Sequence, residues 1–233
     1  MVLDFINDIV DSIKGLFHRE EKPVPVSQSK PVAPNIPYDY KINKPPDLFD
    51  IPQDLTTYAA KWLIRGGMSP EGAAAMIGNL WRESYLNPAQ IQIDSSGVPR
   101  GPGRGVAQWT DTTLTKRSSD DGKGRWDLYR KEFFPNLKTS HDYWKAHTIE
   151  GLEPQLAFII YELKEEFPGV WRNLTTPGSL RDKTIMVLKK YEVARDRDVP
   201  EEQNLRVNIA EKIYGFIKQD QAKEAAVAKK TKK

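Results

Sequence analysis

One acidic residue is conspicuous for its position: Glu83, within the stretch NLWRESYLNP at residues 79–88. The apolar run before it predicts a helix that Pro88 prevents from continuing. Glu83 would face the negative end of the helix dipole, with Trp81 and Tyr85 able to exclude water. We therefore expect a carboxylic acid that keeps its proton near neutral pH, as protonation of a leaving sugar oxygen requires. On these residues alone, an ordinary surface glutamate remains the simpler interpretation.

Other catalytic chemistries lack the residues they need. The chain has no cysteine and only three histidines, His18, His141 and His147, and no H-E-x-x-H spacing occurs. No G-x-S-x-G elbow is present, and "GPGRG" lacks the Gly-Lys-Ser/Thr ending of a phosphate-binding loop. Carboxylate chemistry is what remains, and we expect neither a metal nor another cofactor.

The composition is that of an ordinary globular protein, with 39% hydrophobic and 29% charged residues in a chain of 233. No stretch approaches the roughly 18 apolar residues of a membrane span, so we expect no transmembrane segment. The net charge of +3 is concentrated at one end, because residues 218–233 contain six lysines against Asp220 and Glu224. The rest of the chain therefore sums to about −1, which argues against a nucleic-acid partner.

Residues 1–18 predict an amphipathic docking helix. Within residues 2–17, an apolar stripe opposes a face that is mainly acidic, whereas helices that lie on membranes usually carry Lys and Arg on that face. A groove in a partner protein is the favoured destination. Packing on the protein's own domain and binding to a membrane surface are the alternatives.

The next segment, residues 19–53, contains eight prolines and little apolar periodicity. We predict an extended, semi-rigid linker, or alternatively a segment that wraps the domain surface. The main domain is predicted at residues 54–218, and a Lys-rich flexible tail at 219–233.

Helical signals dominate the main domain. A first helix should end at Gly66-Gly67, and Ser69-Pro70 should cap and open the next. Apolar residues three and four apart predict further helices, and the only good site for a hairpin lies between Pro88 and Gly105. The helices predicted from this spacing cover residues 152–166, 180–194 and 201–218. The expected fold class is mainly α, with one small β-hairpin.

Five motifs occur in an order that resembles the phage tail lysozyme family of the lysozyme-like superfamily. They are AAAMIGNLWRESYLNP, GRGVAQWT, QLAFIIYELKEEFPGVW, VLKKYEVA and LRVNIAEKIY. No single motif is decisive, but all five in this order are not expected by chance. The resemblance covers about residues 54–216, and it implies a mainly α, α+β lysozyme-like domain.

The resemblance implies roles for individual residues. Glu83 matches the catalytic acid, and Ser84 would orient it by a hydrogen bond. Gln108 and Trp109 match a loop that lines the sugar-binding cleft, where an indole can stack on a sugar and an amide can bind its polar groups. Tyr191 matches the tyrosine that approaches the acid in related muramidases.

Three further positions belong to this interpretation. Tyr85, next to the predicted acid, is a candidate sugar contact. Gly78 is expected to allow close helix packing, and Glu162 to form a structural ion pair.

The second carboxylate is not fixed by the sequence. Asp94 lies in the predicted hairpin, where a base that positions water would stand, and Asp111 is the reserve. If neither serves, Glu83 could act first as acid and then as base on the sugar's own 6-hydroxyl, leaving an anhydro product. Carboxyl separation, which would distinguish the water-using geometries, is not encoded in the sequence.

The resemblance implies a peptidoglycan hydrolase, a muramidase or lytic transglycosylase, that cleaves the β-1,4 bond between N-acetylmuramic acid and N-acetylglucosamine. It would be a component of the phage virion, in the tail or the inner capsid, acting on the bacterial wall. The alternatives are a non-catalytic glycan-binding or structural virion protein on the same scaffold, and an export-linked bacterial transglycosylase.

Overall fold

A computed structural model describes residues 49–93, 99–111, 124–132 and 149–230. The predicted docking helix and almost all of the predicted linker lie outside these ranges, and so does Asp94. The elements within them are α1 (Gln53–Arg65), α2 (Pro70–Ser84), β1 (Ile91–Ile93), β2 (Pro99–Arg104), β3 (Trp109–Thr110), α3 (Arg125–Glu132), α4 (Ile149–Glu165), α5 (Pro168–Thr175), α6 (Leu180–Met186), a π-helix (Val187–Glu192) and α7 (Pro200–Lys230).

Helix α2 is the central element of the domain. Ser69 caps it as predicted, because the Ser69 hydroxyl oxygen accepts a 3.0 Å hydrogen bond from the Gly72 N–H, and Pro70 is its first residue. From Gly72 to Trp81 every residue is buried, as expected of a helix enclosed on several sides. It packs against α1, α6 and α7.

The contact between α2 and α7 is unusually close at Gly78. A Cβ atom added there would lie 2.9 Å from the Ala210 Cβ and 3.0 Å from its Cα. The prediction that Gly78 allows close packing is therefore confirmed. Ala210 lies one helical turn after Arg206, so the same approach brings that arginine to the end of α2.

The three strands form one antiparallel sheet in the order β1-β2-β3. Ile91 pairs with Arg104, and Gly103 pairs with Thr110. The hairpin predicted between Pro88 and Gly105 is thus present, and a third strand, which the sequence did not indicate, extends it.

An aromatic cluster joins the sheet to the helices. The Trp109 ring stacks on Trp126 and Tyr129, at centroid distances of 6.4 and 5.7 Å, and its edge contacts Phe158 of α4 at 5.1 Å. Trp109 is 1% exposed. This tryptophan is therefore part of the hydrophobic core.

The predicted flexible tail is helical as far as Lys230. Helix α7 continues through residues 219–230, where every side chain after Asp220 is exposed. Two features explain the difference: the segment is rich in the strong helix formers Ala, Lys and Glu, and Lys61 of α1 pairs with Asp220 at 2.5 Å and Glu224 at 2.8 Å.

We predict that Gly78→Ala destabilises the domain by about 1–3 kcal/mol, because the added methyl group meets the backbone of α7. Gly215→Ala is the matched control. Gly215 lies in α7, and among the described residues an added Cβ would meet no atom within 4 Å beyond its chain neighbours and its own helix backbone, so the same substitution should stabilise the helix by up to about 1 kcal/mol. Urea denaturation of both variants measures the difference. Equal effects would show that the close contact is not required.

Candidate active site

Glu83 is the penultimate residue of α2, and its side chain is 21% exposed. The helix ends there because Tyr85 adopts the left-handed conformation, with φ 56°. Its carboxylate Oε1 accepts a 2.6 Å hydrogen bond from Arg206 Nη2 of α7. Among the described residues, no hydrogen bond reaches Oε2. The sequence argument expected aromatic rings around this carboxyl, and the structure places a cation against it.

Arg206 connects Glu83 to two other polar groups. Its Nε donates to Glu202 Oε1 at 2.9 Å, and its Nη1 donates to Asn79 Oδ1 at 3.2 Å. Arg82 also donates to Glu202, at 3.2 Å. Arg206 itself is 2% exposed. A guanidinium with all three of its nitrogens engaged holds the Glu83 carboxylate in one orientation.

Asn79 fixes the position of this arginine. It lies one turn before Glu83 on the same face of α2. Its amide nitrogen donates to the carbonyl of Ala75 at 2.9 Å and to that of Thr184, in α6, at 3.1 Å. With both donors used in this way, the amide oxygen is left to accept from Arg206.

A second carboxyl lies near Glu83. Glu192 is the last residue of the π-helix, and its Oε1 is buried with no hydrogen-bond partner among the described residues. Burial, together with the neighbouring charge of Glu83, raises the pKa of the Glu192 carboxyl to about 8, although Arg125 and Arg206 act in the opposite direction. Glu192 is therefore mostly protonated at neutral pH.

A third carboxylate, Glu162, organises the buried side of this region. Its Oε2 accepts hydrogen bonds from Trp109 Nε1 at 2.9 Å and from the Tyr191 hydroxyl at 2.8 Å. Both of its oxygens also accept from Arg125, at 2.5 and 2.9 Å. Burial, together with the neighbouring Glu162 charge, raises the pKa of Tyr191. The predicted structural ion pair of Glu162 is confirmed, with Arg125 as its partner.

Polar contacts also tie the end of α2 to the loop after β2. The Ser84 Oγ lies 2.8 Å from the Val106 carbonyl oxygen and 3.1 Å from that of Leu80. Buried Gln155 of α4 accepts from the Val106 N–H and donates to the Pro88 carbonyl, both at 2.8 Å. These hydrogen bonds therefore fix the chain just before β1 and just after β2.

The residues predicted to contact the sugar differ in how much of each is exposed to solvent. Ser84, Trp109 and Tyr191 are at most 1% exposed and bind protein groups, so none of them offers a free surface to a sugar in this conformation. Tyr85 and Gln108 are partly exposed. Gln108 donates through Nε2 to the Gly105 carbonyl at 2.9 Å.

The two candidates for a second carboxylate have different outcomes. Asp94 lies outside the described residues. Asp111 is 3% exposed, and its Oδ2 lies 3.8 Å from Arg104 Nε. Asp111 is therefore engaged inside the protein.

Sequence reasoning did not select Asn79, Gln155, Glu192 or Arg206 as site residues. All four lie within the quoted motifs, in GNLWRES, QLAFII, KKYEVA and LRVNIAEK. A buried polar residue needs a hydrogen-bond partner, so charged or amide residues on otherwise apolar helix faces could have been selected from the sequence. The sequence does not show, however, which residue is the partner of each.

A helical domain with a small antiparallel sheet and a glutamate at the end of its buried central helix defines a protein of the lysozyme-like class. The chain belongs to the phage tail lysozyme family, whose profile matches residues 54–217, well over half of its length. Neither the curated proteins nor the solved structures gave a significant match. Membership of this family implies a lysozyme-like role on peptidoglycan.

Two further observations concern the described residues only. None of their helices combines the length and the apolar character that crossing a bilayer demands. No cluster of three or more His, Asp or Glu side chains among them is arranged to hold a metal ion.

We predict that Arg206→Met destabilises the protein by about 3 kcal/mol or more, because it leaves Glu202 and Glu83 without their buried cation. The control is Arg181→Met. Arg181 likewise joins two helices, α6 and α7, through a 2.9 Å hydrogen bond to Asn204, but it does so on the exposed surface, so its loss should cost less than about 1 kcal/mol. Urea unfolding at pH 7 compares the two variants. Similar losses would contradict the central position of Arg206.

We also predict that Glu192 makes stability fall as pH rises. The folded-state pKa of Glu192, about 8, exceeds the ordinary value of 4.5. Between these pH values the Glu192 carboxyl therefore binds a proton in the folded protein but not in the unfolded chain. Stability should therefore decrease through this window, by up to about 1.4 kcal/mol per pH unit. Glu192→Gln removes this contribution. The test is to measure the unfolding free energy of the parent and of Glu192→Gln from pH 4 to 9. Parallel curves of unfolding free energy against pH would contradict the prediction.

Proposed function

We propose that the protein is a phage virion-associated glycosidase that cleaves the β-1,4 bond between N-acetylmuramic acid and N-acetylglucosamine in peptidoglycan. Membership of the phage tail lysozyme family supports the substrate. The position of Glu83 supports the mechanism, in which this residue protonates the leaving oxygen. The protein would act locally on the wall during infection.

The observation that carries the proposal is the difference in exposure among three ion-paired glutamates. The side chain of Glu83 is 21% exposed, against 8% for Glu202 and 2% for Glu162. Glu83 is fixed through Oε1 by Arg206. Of the three, Glu83 is therefore the carboxyl that a glycan can reach, and it is already oriented.

The surrounding residues would have two kinds of role. Tyr85 and Gln108, which are partly exposed, are the candidate sugar contacts. Trp109 and Tyr191 would act indirectly, by holding Glu162 and the loop that carries Gln108. Asp94 remains the candidate base for an attacking water. Without such a base, the sugar's 6-hydroxyl would attack and give the anhydro product of a lytic transglycosylase.

The N-terminal segments would give the domain its place in the virion. The amphipathic residues 2–17 would dock in a tail or inner-capsid protein, and the proline-rich residues 19–53 would give the domain reach. Residues 54–218 would then act on the wall from the particle.

We predict that Glu83→Gln lowers the rate of cleavage of purified peptidoglycan by roughly 10²–10⁴-fold, because an amide keeps the shape of the side chain but cannot donate the proton. Mass analysis of released muropeptides measures the rate, and it also separates hydrolysed from anhydro ends. Glu165→Gln, at the exposed end of α4, is the control and should retain full activity. A Glu83→Gln variant as active as the parent would remove the mechanism.

One observation favours a second candidate, a non-catalytic glycan-binding or structural virion protein. Arg206 holds the Glu83 carboxyl in an ion pair at 2.6 Å, which is also the arrangement expected of a structural carboxylate. In this case purified peptidoglycan would retain the protein in sedimentation assays, and no muropeptides would be released. Cleavage that depends on Glu83 would exclude this candidate.

A further inference from the structure

Glu192 has a buried carboxyl oxygen and takes part in none of the described ion pairs. Its Oε1 is inaccessible to solvent and has no hydrogen-bond partner among the described residues. A buried carboxylate without a partner is costly, whereas the neutral acid is tolerated. The arrangement therefore favours a protonated Glu192.

The nearby cations are already engaged by other carboxylates. Arg125 makes two hydrogen bonds to Glu162, and Arg206 is shared between Glu83 and Glu202. With Arg82 included, three arginines face four glutamates in this region. The group is electrically neutral when one glutamate carries a proton, and Glu192 is the one without a hydrogen-bonded cation.

The backbone holds Glu192 in an uncommon conformation. The residue ends a π-helix. Such helices are rare in proteins, and those that do occur are often found at functional sites. The next residue, Val193, has a φ of 52°, a strained value for a β-branched side chain. This turn is closed by a 3.0 Å hydrogen bond from the Val193 N–H to the Leu188 carbonyl. The chain therefore accepts strain at the position that presents Glu192.

The turn also lies beside the end of α2. Helix α2 packs against the π-helix, and Asn79, one turn before Glu83, donates to the carbonyl of Thr184, which precedes the π-helix by three residues. The charge of Glu83 is close enough to act on Glu192, and both carboxyls act on the Arg206 guanidinium.

We propose that Glu192 is the proton-holding partner of Glu83: its carboxyl keeps a proton at rest and supplies it to Glu83 when the glycosidic bond is cleaved. This inference rests on the proposed function. Glu192 does not have to touch the glycan, because it acts through Glu83. Glu83 remains the catalytic acid.

The two carboxyls account for the proton that the reaction uses and releases. Glu192 gives its proton to the Glu83 carboxylate, and Glu83 gives it to the glycosidic oxygen, which takes the electron pair of the breaking C1–O bond. Water, or the sugar's 6-hydroxyl, then forms the new bond to C1 and releases a proton. That proton returns to the pair and restores Glu192.

The pH dependence involves four charged groups that, among the described residues, act on Glu192. Glu83 from α2 and Glu162 from α4 disfavour its ionisation, whereas Arg125 from α3 and Arg206 from α7 favour it. After the proton leaves, these two guanidinium groups stabilise the new charge.

The first test is carbon NMR titration of the Glu192 carboxyl in the full chain, with its resonance assigned through the backbone. We expect its midpoint near pH 8, and a lower midpoint in Glu83→Gln, because the neighbouring charge is gone. A midpoint near 4.5, or one that Glu83→Gln leaves unchanged, would overturn the inference. This arm does not depend on activity.

The second test is the pH profile of peptidoglycan cleavage by Glu192→Gln, which imitates the neutral side chain. At pH 7.5 we expect a rate loss of roughly 10²-fold, and a much smaller loss at pH 5, where solvent can supply the proton. The alkaline limb of the profile should move to lower pH. A purely structural role would lower the rate equally at both pH values. Glu211→Gln, exposed on α7, should retain the parental profile.

The outcomes separate the two proposals. A wild-type protein that releases no muropeptides would overturn the proposed function, and the delivery role of Glu192 with it. Cleavage by Glu192→Gln with an unchanged pH profile would overturn the role of Glu192 alone. A shifted profile together with a raised and Glu83-dependent midpoint would support both.

Discussion

The hydrogen bond between Arg206 and Glu83 is the contact on which the candidate site depends. It joins residues 123 positions apart, and it forms only because α2 and α7 approach closely at Gly78 and Ala210. The same guanidinium binds Asn79 and Glu202, so both helices are locked in register. The close packing of Gly78 against Ala210 in the core thereby fixes the orientation of the partly exposed Glu83 carboxylate.

Four glutamates in this region differ in function because they differ in access to water and to cations. Glu162 is buried and fully paired, and it serves the fold. Glu202 is buried beside Arg82 and Arg206, and it anchors the network. Glu83 is paired but reaches solvent, whereas Glu192 is the one whose buried oxygen has no partner. The exclusion of water that the sequence argument assigned to the Glu83 carboxyl is found at one oxygen of Glu192.

Local signals made most of the fold predictable. The Ser69-Pro70 start of α2 and the Gly66-Gly67 end of α1 depend on backbone groups within a few residues, and they are where the sequence placed them. The signals failed where long-range packing decides. Strand β3 is two residues long, and α5 has only eight residues, too few for periodicity alone to identify.

The candidate site shows the same limit. The dipole argument drew attention to Glu83, whose position at the end of α2 is encoded locally, but it was the resemblance that selected this residue as the acid. Trp109 and Tyr191 were expected at a sugar, but their polar hydrogens bond to Glu162 inside the core. Arg206 escaped notice because no local pattern reveals which carboxylate a distant arginine will meet.

The extension of α7 changes how its lysines are presented. Ile217 is the last buried residue of the helix, and at 1.5 Å per residue the part up to Lys230 is about 20 Å long. A flexible segment of that length would spread its positive charge over a wide volume. A helix anchored at Lys61 instead carries the charge as a rod with a defined direction, so any anionic surface it meets would be met from one side of the domain.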